Sequence, residues 1–216
     1  LLPLAGGASV RRIAATGILK RYYGELLLSL MAQGWNTHAY WFDWRLDVRE
    51  SARTLALRIR EWFKPGEHVH LVAHSMGGLV ARMFIRHHPQ LWRAMWDAKG
   101  NGARGGRLVM LGTPNHGSFA VPQMLFGLND NLRKLALLDL FHSLRELIEV
   151  AKTFTGIYQM LPSPLRMPGA EPLYSSATFS PVSVDQAQLD AARAFHEELA
   201  SDASTSDPSR LVYIAG

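Results

Sequence analysis

A hydroxyl that attacks an ester carbonyl must stand clear of its own backbone, and one stretch of this chain is patterned to hold one so. Val69 to Ala73 is an apolar run with β-branched residues and reads as a buried strand, while Met76 to His88 reads as a helix. Ser75 comes after the strand and His74, and opens the helix. A strand that turns into a helix through small residues, with Ser at the apex, is a nucleophile elbow. The turn demands small residues two before and two after the Ser. Here they are Ala73 and Gly77, with Gly78 next, so the pattern is A-x-S-x-G. The N–H of Met76, at the helix N-terminus, points where an oxyanion would form. That is the chemistry of acyl transfer, and it calls for no cofactor and no metal. The competing reading is a Ser that only caps a helix; capping leaves the small residues on both sides unexplained.

Ser is a poor nucleophile without a base, itself oriented by a carboxylate. Nine His residues compete for the role. His74 adjoins Ser75, and a neighbour across a sharp turn presents its ring to the hydroxyl badly. His116 lies in the loop after the next strand, as a base or as a hydrogen bonder that fixes the loop. His68 and His70 share a strand face and either chelate a metal or are satisfied within the sheet. His87 and His88, at a helix end before Pro89, suit the helix dipole. Asp43, Trp44 and Arg45 sit at the carboxyl end of an expected strand, the ligand side of such a sheet. They shape the rim of the site, or Asp43 and Arg45 brace the next turn as an ion pair.

The elements that must position these residues are legible from periodicity. Apolar residues from Gly17 to Gln33 recur at helical spacing until Gly34, and Thr37 to Trp44 is aromatic-rich and reads as a strand. Asp47 with Glu50 three residues on resembles a capping box. Val48, Ala52, Leu55, Ile59 and Trp62 then form one stripe, ended by Pro65-Gly66. Gly100, Gly102 and Gly105 spell a G-x-G-x-x-G that precedes a strand, Arg107 to Gly112, instead of opening a helix. It is therefore not a dinucleotide fingerprint. Beyond residue 118 the alternation stops. Helical stretches at 131–138, 143–154 and 185–200 flank a proline-rich passage, and a last strand runs from Leu211 to Ala215. The expected architecture is α/β: a mostly parallel sheet with helices on both faces and a helical cap or lid inserted over its carboxyl ends. The division is a core at 1–118, the insertion at 119–206 and a returning core strand at 207–216.

Composition bounds the rest. The 216 residues are 48% hydrophobic and 19% charged, which fits one sizeable domain. The chain has no Cys, so disulfides and thiolate metal sites are excluded. The net charge of +5 comes from interspersed charges, which argues against nucleic acid as a partner. No run reaches membrane-spanning length and no signal-peptide pattern opens the chain, which favours the cytoplasm. A start without Met and an end at a strand lead us to expect a fragment.

Three motifs, Phe42-Asp43-Trp44-Arg45, Ala73-His74-Ser75-Met76-Gly77-Gly78 and Leu111-Gly112-Thr113-Pro114-Asn115-His116-Gly117-Ser118, share one order and spacing. Together they resemble the lecithin:cholesterol acyltransferase-like branch of the α/β-hydrolases, over about residues 16–120. The family usually has Tyr where Phe42 stands. The resemblance implies a serine hydrolase or O-acyltransferase acting on a lipid-like ester, with contact to a lipid surface. It places the triad acid and His beyond Gly216. An α/β-hydrolase-like domain that binds without catalysis is the alternative, and the oligomeric state is open.

Overall fold

The computed structural model describes residues 16–95, 105–128, 143–201 and 208–215. Three short strands, β1 (Leu71–His74), β2 (Leu108–Leu111) and β3 (Leu211–Ile214), form a parallel sheet in the order β1-β2-β3. The register aligns Leu71, Leu108 and Leu211 across the sheet, and His74, Leu111 and Ile214 at its carboxyl edge. Among the described residues there are eight α-helices. They are α1 (Lys20–Ala32), α2 (Val48–Trp62), α3 (Met76–His87), α4 (Pro89–Ala94), α5 (Ala120–Leu125), α6 (Leu144–Ala151), α7 (Thr155–Tyr158) and α8 (Gln186–Ala200). The fold is α/β, as expected. The last glycine of the G-x-G-x-x-G, Gly105, leads directly into β2; Gly100 and Gly102 lie outside the described residues, as does the helix expected at 131–138.

Alternation decides which face of the sheet is packed. Leu71, Ala73, Leu108, Met110 and Leu211 face a core built with α2 and α3, together with Phe195 and Leu199 of α8. The other face shows Val72, Val212 and Ile214 at 40% exposure or more, and is approached by α1 through the Tyr23 ring beside His74. Helix α2 keeps its expected stripe: Val48, Ala52, Leu55 and Ile59 are buried, and Trp62 stacks on His38 with centroids 4.9 Å apart. Its cap is simpler than the sequence suggests. The Asp47 carboxylate accepts from the Arg49 N–H at 2.7 Å, while Glu50 pairs with Arg53 instead of reaching back. The full capping box lies at Ser143 and Glu146, where both reciprocal bonds form.

Residues 37–44 do not form the strand read from their aromatics. Among the described residues nothing offers them a backbone ladder, and a β-branched or aromatic run without a neighbour is only extended chain. Its side chains dock sideways instead: the Tyr40 hydroxyl donates to the Ser51 carbonyl at 2.6 Å, and Phe42 packs against the core.

A second apolar cluster, centred on Leu125, Tyr158, Leu161, Phe179 and Leu189, belongs to the chain after residue 118. Helix α8 joins the two, with Leu189 and Ala192 in one cluster and Phe195 and Leu199 in the other. Its Glu198 ties α8 to the core: the carboxylate lies 2.8 Å from Arg49, 3.3 Å from Arg86 and 2.6 Å from His87 Nε2. Burial acts to raise the Glu198 pKa, but hydrogen bonds from Arg49 and His87 outweigh it and hold it below the ordinary value. A depressed carboxylate pKa contributes stability that is present above the unfolded pKa of 4.5 and lost as pH falls through the folded one. Glu198→Gln is therefore expected to cost about 1–2 kcal/mol at neutral pH. In urea titrations the gap to wild type should close below about pH 4.5; a gap independent of pH would rule out the ionic account.

Candidate active site

Ser75 has φ 52° and ψ −128°, and it is the one non-glycine residue with positive φ among those described. A side chain at such a φ is held there by its surroundings at a cost. The restraints are visible. Ser75 N–H donates to the Leu111 carbonyl at 2.9 Å, and its own carbonyl accepts from Gly78 N–H at 3.0 Å. Its side chain makes no cap bond to α3, which sets aside the capping reading. Met76 is the first residue of α3, and no backbone acceptor among the described residues takes its N–H. First-turn N–H groups have no intrahelical partner and are available to an anion.

The steric demand falls one residue later than the pattern suggests. A Cβ on Gly77 would meet Ala73 Cβ at 3.9 Å, an ordinary contact. On Gly78 it would strike Thr113 Oγ1 and lie 2.7 Å from Thr113 Cβ. Thr113 is buried at the start of the Thr113–Ser118 loop, so α3 can approach that loop only through a glycine. Ala73 and His74 complete the turn from the strand side.

Asp43 and Arg45 form a bidentate ion pair, with Arg45 Nε 2.8 Å from Asp43 Oδ1 and Nη2 bonded to Oδ2. The Arg45 guanidinium holds the Asp43 carboxyl below its usual pKa. The pair braces the turn in which Leu46 N–H bonds the Asp43 carbonyl. Trp44, half exposed, meets Phe154 edge-on at 5.4 Å. His74 Nδ1 is 2.7 Å from the Tyr23 hydroxyl, so α1 occupies its ring. His70 Nδ1 accepts from the Arg107 N–H at 3.2 Å; burial and Arg107 lower its pKa. Among the described residues no three His, Cys, Asp or Glu groups gather as metal ligands would. His88 lies against Phe84, and burial with the nearby Arg60 lowers its pKa.

His116 is exposed in its loop, its pKa lowered by burial and by Arg82 and Arg166. The loop lines an open cleft of about 430 Å³ with Arg82, Met110 and Tyr213, beside the strand that receives the Ser75 N–H. It is also stitched to the chain beyond residue 118: Ser118 N–H donates to Met160, and Ser163 N–H to His116, both at 2.8 Å.

Three residues in this frame escaped the sequence reading. Gly156 N–H donates to the Arg45 carbonyl at 3.2 Å, and a Cβ there would strike the Trp44 carbonyl and lie 2.8 Å from the Met76 methyl. Gln159 Oε1 accepts from the Val48 N–H at 2.8 Å and so caps α2 from outside. His196 is buried at 2% exposure, and burial drives its pKa down to about 4. Residues 154–163 thus rest on both loops that flank Ser75. Position in a helical segment gives no local sign of such long-range contacts; only the choice of Gly at 156 hinted at one.

A family model described as lecithin:cholesterol acyltransferase matches residues 5–205, well beyond the 16–120 that carry the three motifs. The helical segment after residue 118 is therefore part of the family pattern. Among solved structures, a chain of the Tle4–Tli4 complex aligns with a TM-score of 0.51 at 17% identity. The alignment covers 74% of this chain and 41% of that one, a likeness of fold alone. No curated protein sequence matches. No helix among the described residues is long and apolar enough to cross a membrane. By the extent of the family match, the chain belongs to the lecithin:cholesterol acyltransferase family.

Proposed function

We propose that this chain carries the nucleophile of a lipid acyl-ester hydrolase or O-acyltransferase, with Ser75 at a nucleophile elbow. The observation that carries the reading is the Ser75 backbone at φ 52°, on a strand-to-helix turn, with its side chain unused by the helix. Ser75 Oγ attacks the ester carbonyl carbon and gives its proton to a base. The Met76 N–H stabilises the oxyanion of the tetrahedral intermediate, the alcohol leaves with the proton, and water or a second alcohol then takes the acyl group. The resemblance puts the base and its carboxylate later in the sequence than β3. The register supports this: Ile214 ends at the same sheet edge as His74, two strand spacings or about 10 Å away. β3 therefore ends at the same sheet edge from which Ser75 follows β1.

The family match and the half-exposed Trp44 and Leu46 near this edge support a lipid-like substrate and contact with a lipid surface. We read residues 119–206 as a helical cap; among the described residues this segment has an apolar cluster of its own, and 154–163 bond to the loops at Arg45 and His116. A serine-reactive fluorophosphonate should label the intact protein at Ser75, and nitrophenyl esters of long acyl chains should turn over faster than the acetate. An unlabelled wild type would favour a binding domain without catalysis, and faster acetate turnover would remove the lipid-sized site.

A further inference from the structure

His74 is the last residue of β1, and the backbone turns at the next residue, Ser75. The end of this strand has to be held in three directions for the Ser75 hydroxyl to keep one place. In the plane of the sheet β1 is held by its ladder to β2, and the Ser75 N–H bonds the Leu111 carbonyl. Toward the core, Ala73 packs against the buried cluster. The third direction is the open face, where alternation puts the His74 ring on the same side as the exposed Val72. There the Tyr23 hydroxyl of α1 lies 2.7 Å from His74 Nδ1, and the two rings stand 5.7 Å apart at 59°. No residue of α1 is buried, and its Tyr22, Leu26, Leu28 and Met31 are exposed. On so lightly packed a face the directional bond, more than burial, sets where the ring stands.

The pair is suited to hold in either protonation state. A neutral imidazole with its proton on Nε2 accepts from the hydroxyl at Nδ1, and an imidazolium donates from Nδ1 to the hydroxyl oxygen. Strain gives the bond its reach. Ser75 at φ 52° keeps its conformation only while its surroundings over-determine it. That angle is a rotation about the Ser75 N–Cα bond, one peptide plane from the His74 Cα. With the ring released, the strand end rocks on the β2 ladder and the peptide between His74 and Ser75 turns with it. The hydroxyl and the Met76 N–H then lose their alignment on the ester carbonyl, where a misplacement of about 1 Å costs about a hundredfold in rate.

We propose that Tyr23 is a positioning residue for Ser75, its hydroxyl clamping the His74 ring on the open face of the sheet; the inference rests on the reading of Ser75 as the nucleophile. The test is fluorophosphonate labelling of the intact protein, followed as a rate over a range of probe concentrations and as a final stoichiometry. Tyr23→Phe should lower the maximal rate about tenfold, leave the half-saturating concentration within about twofold and reach the wild-type stoichiometry. A variant that only unfolds loses stoichiometry instead. His74→Leu should match Tyr23→Phe, and the double variant should be no slower than either single one, since all three remove the same bond. His74→Asn sets an amide where Nδ1 stood, able to bond the hydroxyl, and should recover the wild-type rate to within about twofold. A wild-type rate in Tyr23→Phe, costs that multiply in the double variant, or His74→Asn as slow as His74→Leu would overturn the proposal and leave Ser75 as the nucleophile. A wild type that takes no label would overturn both.

Discussion

Ser75→Ala is expected to lower ester turnover about a million-fold, the usual cost of removing the Ser of a triad, and to abolish fluorophosphonate labelling. Labelling that survives would place the nucleophile elsewhere. Ser75→Gly should lose the same activity and gain stability. A side chain at φ 52° and ψ −128° carries strain on the order of 1–3 kcal/mol, which glycine releases. The added freedom of glycine in the unfolded chain returns about 0.5–1 kcal/mol of that. Measured against Ser75→Ala, which lacks the hydroxyl but keeps the Cβ, the glycine variant should be about 1 kcal/mol more stable, or about 3 °C higher in Tm for a chain of this size. A glycine variant less stable than the alanine one would mean that the turn is relaxed as built. Stability and activity thus separate at one residue: the cost falls on the fold and the benefit on the hydroxyl.

Local rules made the centre of the molecule legible. The apolar run before Ser75 and the stripe from Val48 to Trp62 were enough to place β1, α2 and α3, because each buries its pattern on one side. The aromatic run at 37–44 misled for the same reason: propensity describes a half-buried surface, and without a ladder these residues packed as loop. The candidate site is half legible in the sequence. Ser75 and Met76 are read from a turn only a few residues long. Gln159 reaches Val48 across 111 residues of sequence, and Gly156 and His196 also act through contacts distant in the chain. No local period records such a contact. Even within the glycine doublet the tight position is Gly78, where α3 meets Thr113, a contact made by a loop far along the chain.

Gly117→Ala should be the most damaging of the conservative substitutions outside the turn at Ser75. Gly117 has φ +80°, and a Cβ there would strike the Leu161 carbonyl oxygen and lie 2.7 Å from Pro162 Cα. These are backbone atoms, so no side-chain rotation relieves the clash. The loop and the 160–163 segment would have to separate, against the Ser118–Met160 and Ser163–His116 hydrogen bonds that close them together. Gly169 provides the control, with φ +79° and open space around the same Cβ. Gly169→Ala should cost about 1 kcal/mol for its backbone conformation alone. Gly117→Ala should cost about 3 kcal/mol or more, since the overpacking adds to it. Chemical denaturation of the two variants isolates the contact, because the φ term cancels in the difference. The loss should also reach the chemistry. Loosening 113–118 frees the end of β2, whose Leu111 carbonyl holds the Ser75 N–H, so turnover should fall even where the variant remains folded. Equal costs at the two glycines would show that the loop and the helical segment are not locked together.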